Sequence, residues 1–210
     1  SDATAGLEAA FAALRAAVPP PVRDLRKATT DYSLYDVYEG TVDLAQFQAG
    51  APPYGGYDGV SGGFVLADDG APIAQRTEEV PFVLTVPKAP ASAAGYPLAV
   101  MGHGTGGDLA SGLGEGPRAE AHQLAVAGWA MLTVSEPLHR GRAGFIEGAE
   151  EVNTFNFLNP PAGRDNWRQS ALEKVQLVTL APALQLPASV TGGSVVRFDG
   201  ARLGYFGHSQ

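Results

Sequence analysis

The sequence predicts an α/β protein, a mostly parallel sheet with helices on both faces. Three observations carry that expectation. From Tyr96 onward short apolar runs alternate with helical stretches, the pattern of a parallel sheet joined by crossover helices. Two of the apolar runs, "PLAVMG" and "RLGYF", end in glycine-bearing loops, "HGTGGD" and "GHSQ". The chain of 210 residues is 45% hydrophobic, enough to bury a core.

The elements follow in order. Leu7, Phe11, Leu14 and Val18 fall on one face of a helix starting near Thr4, and Pro19-Pro20-Pro21 ends it. Residues 28–62 are rich in Gly, Pro, Tyr and Asp without a sustained period. They read as irregular, with a short strand around Thr41 to Leu44. Residues 1–60 are therefore expected to form an N-terminal helix and an irregular extension. "GFVLADDGAPI" runs into an Asp-Gly turn and should open a hairpin. Its second strand would be "EEVPFVLTVPK", with Val80, Phe82, Leu84 and Val86 on one apolar face. "YPLAVMGHG" reads as a buried strand entering a glycine loop, "GPRAEAHQLAVAG" as a helix opened by proline and closed by Gly128, and "WAMLTVSEP" as a strand. "RDNWRQSALEKVQLVTLAPAL" is a helix with Leu172, Val175, Leu177 and Leu180 inward, and "ARLGYFGHSQ" is the next strand.

Composition narrows the function. The net charge of −8 and the lack of a basic stripe argue against nucleic acid. No apolar stretch approaches a membrane span, and "SDATAG" lacks the features of a signal peptide. Without cysteine there is no thiol nucleophile or Cys-based zinc site. Asp68, Asp69 and Asp108 lack metal-ligand spacing, so no metal and no cofactor is expected.

The chemistry points to serine. A serine hydrolase needs its hydroxyl exposed at a sharp strand-to-helix turn, a base to take the proton, and N–H groups aimed at the developing oxyanion. Gly207-His208-Ser209-Gln210 supplies four positions of a G-x-S-x-G nucleophile elbow, which makes Ser209 the candidate nucleophile. The "HGTGGD" loop follows an earlier strand, where this architecture places its second oxyanion donor. Thr105 is the first candidate for that N–H, Gly106 the next, and Gln210 would supply the other.

With "VMGHGTGG" and "GYFGHSQ" the sequence resembles the α/β-hydrolase superfamily. "FLNPPAGRDNWRQSALEKVQLV" looks like the segment before the elbow in bacterial secreted or surface-exposed lipases and related esterases. The resemblance runs from about Val80 to Gln210. It implies that residues 61–210 are the N-terminal part of such a domain, from the first strands through the elbow, with the remainder absent from this chain. It also implies hydrolysis of carboxylic esters through an acyl-enzyme, with a downstream Asp or Glu and His completing the triad. A peptidase, thioesterase, acyltransferase or non-catalytic binding module on the same fold is the alternative. The expected partners are a C-terminal fragment of the same protein and a small-molecule or lipid ester, and the expected setting is extracellular, periplasmic or at the cell surface. The resemblance further implies that His103 is structural, supporting the loop together with Gly104 and Gly106.

Other residues have plainer readings. His208 should pack beside the elbow, and Asp165 with Asn166 should cap the following helix. Arg140 and Arg142 read as solvated loop charge, with an anionic lipid head group as the alternative. In the long connection "EEVNTFNFLNPPAG", Phe155 and Phe157 are candidates to line an acyl pocket, and packing onto the domain body competes with that reading.

Overall fold

The computed structural model describes residues 3–209. Its sheet has seven strands in the spatial order β1-β2-β3-β5-β4-β7-β6, with β1 Val22–Asp31, β2 Tyr35–Gln46, β3 Arg76–Pro87, β4 Tyr96–Gly102, β5 Ala130–Val134, β6 Gln185–Leu186 and β7 Val196–Gly207. The sheet is mixed rather than mostly parallel: β4 runs parallel to β5 and β7, while β1 with β2, β2 with β3, β3 with β5 and β6 with β7 are antiparallel. The parallel part is β5-β4-β7, all after Tyr96; β4 and β5 are buried on both faces and written as unbroken apolar runs, whereas β7 is largely exposed.

The first sixty residues differ from the expectation of an irregular extension. Helix α1, Ala3–Ala16, is followed by two long strands that belong to the main sheet. Charged side chains obscured them. Arg23 makes a two-pronged contact with Asp43, Arg26 pairs with Glu39 and Lys27 with Asp36, so β1 is tied to β2 by cross-strand ion pairs on an exposed ladder. The partner of β3 is accordingly β2, in register from Tyr35 opposite Pro87 to Gln46 opposite Arg76. The Asp-Gly turn at residues 67–71 does form, but it closes only an isolated bridge between Leu66 and Pro72. β3 also buries both faces, since Val83 packs opposite to Val80, Phe82, Leu84 and Val86.

Helices cover both faces. On one side α2, Glu120–Val126, packs Ala121 and Ala125 against Tyr35, Val37, Val83, Met101 and Met131. On the other, α4, Pro160–Leu180, inserts Leu177 and Leu180 into the larger core with Leu84, Leu98, Val100 and Leu132. Leu7, Ala10, Phe11 and Leu14 of α1 pack on Leu172 and Phe47, whereas Val18 is 89% exposed beyond the helix end. A short helix α3, Glu150–Phe155, precedes α4, and α5, Ala188–Thr191, precedes β7. Among the described residues no helix is long and apolar enough to cross a membrane.

Helix α4 begins four residues earlier than its apolar stripe suggested. Asn159 caps it, its side chain accepting from the Ala162 N–H, and prolines occupy the first turn. Asp165 and Asn166 are thus not caps but buried polar residues of the helix interior. Asp165 accepts from the Phe64 N–H at 2.8 Å, Gln169 from the Phe47 N–H at 2.9 Å and Gln176 from the Ala45 N–H at 2.8 Å. A polar stripe of the helix therefore satisfies backbone groups where the chain leaves β2.

Candidate active site

Strands β4 and β7 lie side by side and in register up to Gly102 opposite Gly207, so both end at the same edge of the sheet. The His208 N–H continues the ladder by donating to the Gly102 carbonyl at 3.1 Å. One residue on, Ser209 is exposed and held at φ 54°, in the left-handed region that a side chain makes costly. Such a residue persists only where its surroundings hold it, and such positions cluster at functional sites.

Part of that hold is Gly104. A Cβ placed on Gly104 would stand 2.8 Å from the Ser209 Cβ and 2.8 Å from the His208 carbonyl oxygen. The elbow and the "HGTGG" loop thus meet where the loop has no side chain. Thr105 follows in the chain, and among the described residues the N–H groups of Thr105 and Gly106 donate to no protein group. Gln210 lies outside the described residues.

His103 is buried, and both ring nitrogens are engaged. Its Nε2 accepts from the Glu136 N–H at 2.9 Å, which places the proton on Nδ1, 2.8 Å from the Gly104 carbonyl oxygen. Burial lowers its pKa from the ordinary imidazole value. A neutral ring with neither nitrogen available cannot take a proton from serine. Its geometry is that of a support for the loop. The Gly104 carbonyl also accepts from the Gly107 N–H at 3.0 Å.

Sequence reasoning missed the charged layer beneath this loop. Glu136 at the exit of β5 is buried, its carboxylate 2.6 Å from Lys174 Nζ and accepting from Ser170 Oγ at 2.6 Å. Burial alone would raise its pKa, but Lys174 and Ser170 hold it below the ordinary value. Arg142 is not solvated loop charge: its side chain is 1% exposed, bound to Glu78 at 3.0 Å and to Glu173 at 2.8 Å, and it donates to the Ser135 carbonyl. No local signal marks it, because its partners lie on β3 and α4. Arg140, two residues earlier, is exposed beside Glu147.

His103, Thr105, Glu136, His139, Trp167 and Ser170 enclose a space of about 20 Å³, roughly what one water needs, so the loop rests on a nearly filled base. Phe155 packs on Trp167 with ring centroids 5.6 Å apart, and Phe157 stacks outside it at 6.1 Å. Phe155 is 43% exposed and Phe157 84%, so neither is core packing, and Phe155 reaches this base only through Trp167. His208 is exposed beside the elbow, and His122 pairs with Glu115 far along the chain from it. Among the described residues no group of three or more His, Cys, Asp or Glu could hold a metal ion.

Two solved structures are similar to this chain in fold. An acetyl xylan esterase from Paenibacillus sp. R4 superposes over 96% of this chain and 49% of its own, with a TM-score of 0.51 and 16% identity. Acetyl xylan esterase 1 from Thermoanaerobacterium sp. JW/SL YS485 does so over 99% and 50%, with a TM-score of 0.50 and 13% identity. The fold is α/β-hydrolase-like. The chain spans about half the length of each of these neighbours. No protein-family model matches the chain, and no curated protein matches it in sequence.

Proposed function

We propose that this chain carries the nucleophile and both oxyanion donors of a serine hydrolase acting on carboxylic esters, of lipase or esterase type. The observation that carries the reading is Ser209 in the left-handed conformation at the end of β7, against Gly104 of the glycine loop. The esterase names of the two structural neighbours agree with ester chemistry.

In this mechanism Ser209 Oγ attacks the ester carbonyl carbon, and its proton passes to a histidine that then delivers it to the leaving alcohol. The acyl-enzyme is cleared by water through the same steps. The Thr105 N–H, with that of Gln210, receives the charge on the carbonyl oxygen as the tetrahedral intermediate forms. Each such donor contributes about 3 kcal/mol in comparable sites. His103 is excluded as the base by its two hydrogen bonds. The histidine and the acid that orients it belong, in this proposal, to a further segment of the same protein that remains bound to the chain.

The test is a fluorophosphonate probe on the full-length protein. The adduct should map to the peptide containing Ser209, and labelling that survives Ser209→Ala overturns the assignment.

A further inference from the structure

Lys174 and Ser170 lie one helical turn apart on α4, on the same face, and both reach the carboxylate of Glu136 at 2.6 Å. Helix α4 is anchored in the core by Leu172, Leu177 and Leu180, so it is a rigid reference for whatever it grips. The gripped residue also uses its main chain: the Glu136 N–H donates to His103 Nε2, and His103 Nδ1–H donates to the Gly104 carbonyl. In a trans peptide the C=O and N–H of one unit point in opposite directions. Pinning the Gly104 oxygen towards His103 therefore turns the Thr105 N–H to the opposite side. The Gly107 N–H also holds that oxygen, at 3.0 Å, and the His103 bond fixes the remaining rotation of a peptide that has glycine on one side.

We propose that Lys174, Ser170 and Glu136 are positioning residues that set the direction of the Thr105 N–H through His103. The inference rests on the reading of that N–H as an oxyanion donor. A buried ion pair adds little net stability over an apolar replacement. Removing one partner alone strands the other charge and destabilises the fold, so the work of this pair is read in turnover and in the His103 ring, not in melting temperature.

The experiment uses the full-length protein and two readouts, turnover of nitrophenyl acetate and the ring nitrogen signals of His103 in ¹⁵N-labelled protein. Lys174→Met should lower kcat about tenfold or more while KM stays within about twofold, since the contact forms only as charge develops. Lys174→Arg should recover most of the loss. In Lys174→Met the His103 signals should move from the Nδ1–H pattern towards a mixture of tautomers. If Lys174→Met does not fold, Ser170→Ala, which removes a single hydrogen bond, decides the matter with an expected loss in kcat of about threefold. A folded variant with unchanged kcat overturns the proposal. So does a fall in kcat with the His103 signals unmoved, because the effect would then travel by another route. Absence of turnover in the wild type would count against the ester-hydrolase reading instead, and the ring signals would still decide whether the clamp exists.

Discussion

Gly104 stands so close to Ser209 that a Cβ on the glycine would lie 2.8 Å from the serine Cβ. The same Cβ would meet the His208 carbonyl at 2.8 Å, and backbone cannot swing aside as the end of a long side chain can. Gly104→Ala must therefore push the elbow and the loop apart. A shift of about 1 Å at a reacting group is enough to cost about a hundredfold in rate, so ester turnover should fall by about that factor. Overpacking should lower unfolding stability by about 1–3 kcal/mol. Denaturant titration and steady-state kinetics on the same preparation check both. A variant with wild-type kcat would place the reacting serine elsewhere.

Ser209 itself should show function and stability in opposition. At φ 54° its side chain is strained and glycine would not be. Ser209→Gly is expected to raise unfolding stability by about 1 kcal/mol, while probe labelling disappears. Ser209→Ala, which keeps a Cβ, should abolish labelling without that gain. Equal stability of the two variants would mean that the conformation is not strained in solution.

The parallel half of the fold was legible because β4 and β5 are buried on both faces and written as apolar runs, and because β4 and β7 each run into a glycine loop, although β7 itself is largely exposed. The same pattern located Ser209 and the "HGTGG" loop. β1 and β2 were hidden because their charged residues pair with each other across the strands, a relation that no window along the chain contains. Helix α4 showed its apolar stripe but not its polar one. Asp165, Gln169 and Gln176 look solvated until the backbone that they serve, at residues 45–64, is brought beside them. Its true start was available in Asn159 followed by two prolines, a cap with prolines in the first turn. Arg142 and Glu136 depend wholly on residues far away in sequence, and only the fold could reveal them.

The buried carboxylates give stability a direction with pH. Burial alone would raise the pKa of Glu78, but Arg142 and the Ala143 N–H hold it below the ordinary 4.5, as Lys174 and Ser170 do for Glu136. A folded value below the unfolded one gives a contribution that is complete above 4.5 and is lost as pH falls through the folded values. Unfolding midpoints should be flat from neutral pH to about 5 and fall below it. In Arg142→Met, Glu78 and Glu173 lose their shared cation. That variant should be less stable by about 3–5 kcal/mol at neutral pH, and its stability should recover relative to wild type as acid neutralises the orphaned Glu78. A constant difference between the two proteins down to pH 3 would show that this cluster does not titrate with folding.

The aromatic residues before α4 should divide in their effect on substrate choice. Asn156 and Asn159, both buried, donate to the Tyr54 carbonyl at 3.0 and 3.2 Å, so this loop is fixed from within while Phe157 and Leu158 project outward. Phe155 is packed between Phe157 and Trp167, and Trp167 lines both the small space under Thr105 and a groove of about 430 Å³ along α4. Removing the Phe155 ring frees Trp167 to move, and with it any wall that an acyl chain would meet. In a nitrophenyl ester series Phe155→Ala should change the preference between short and medium chains by about threefold or more. Phe157→Ala, which takes away only the outermost ring, should leave the profile within about twofold of wild type. Equal changes in both variants would make the pair a single substrate wall. An unchanged profile in a folded Phe155→Ala would mean that the stack only covers Trp167, and that acyl length is read elsewhere.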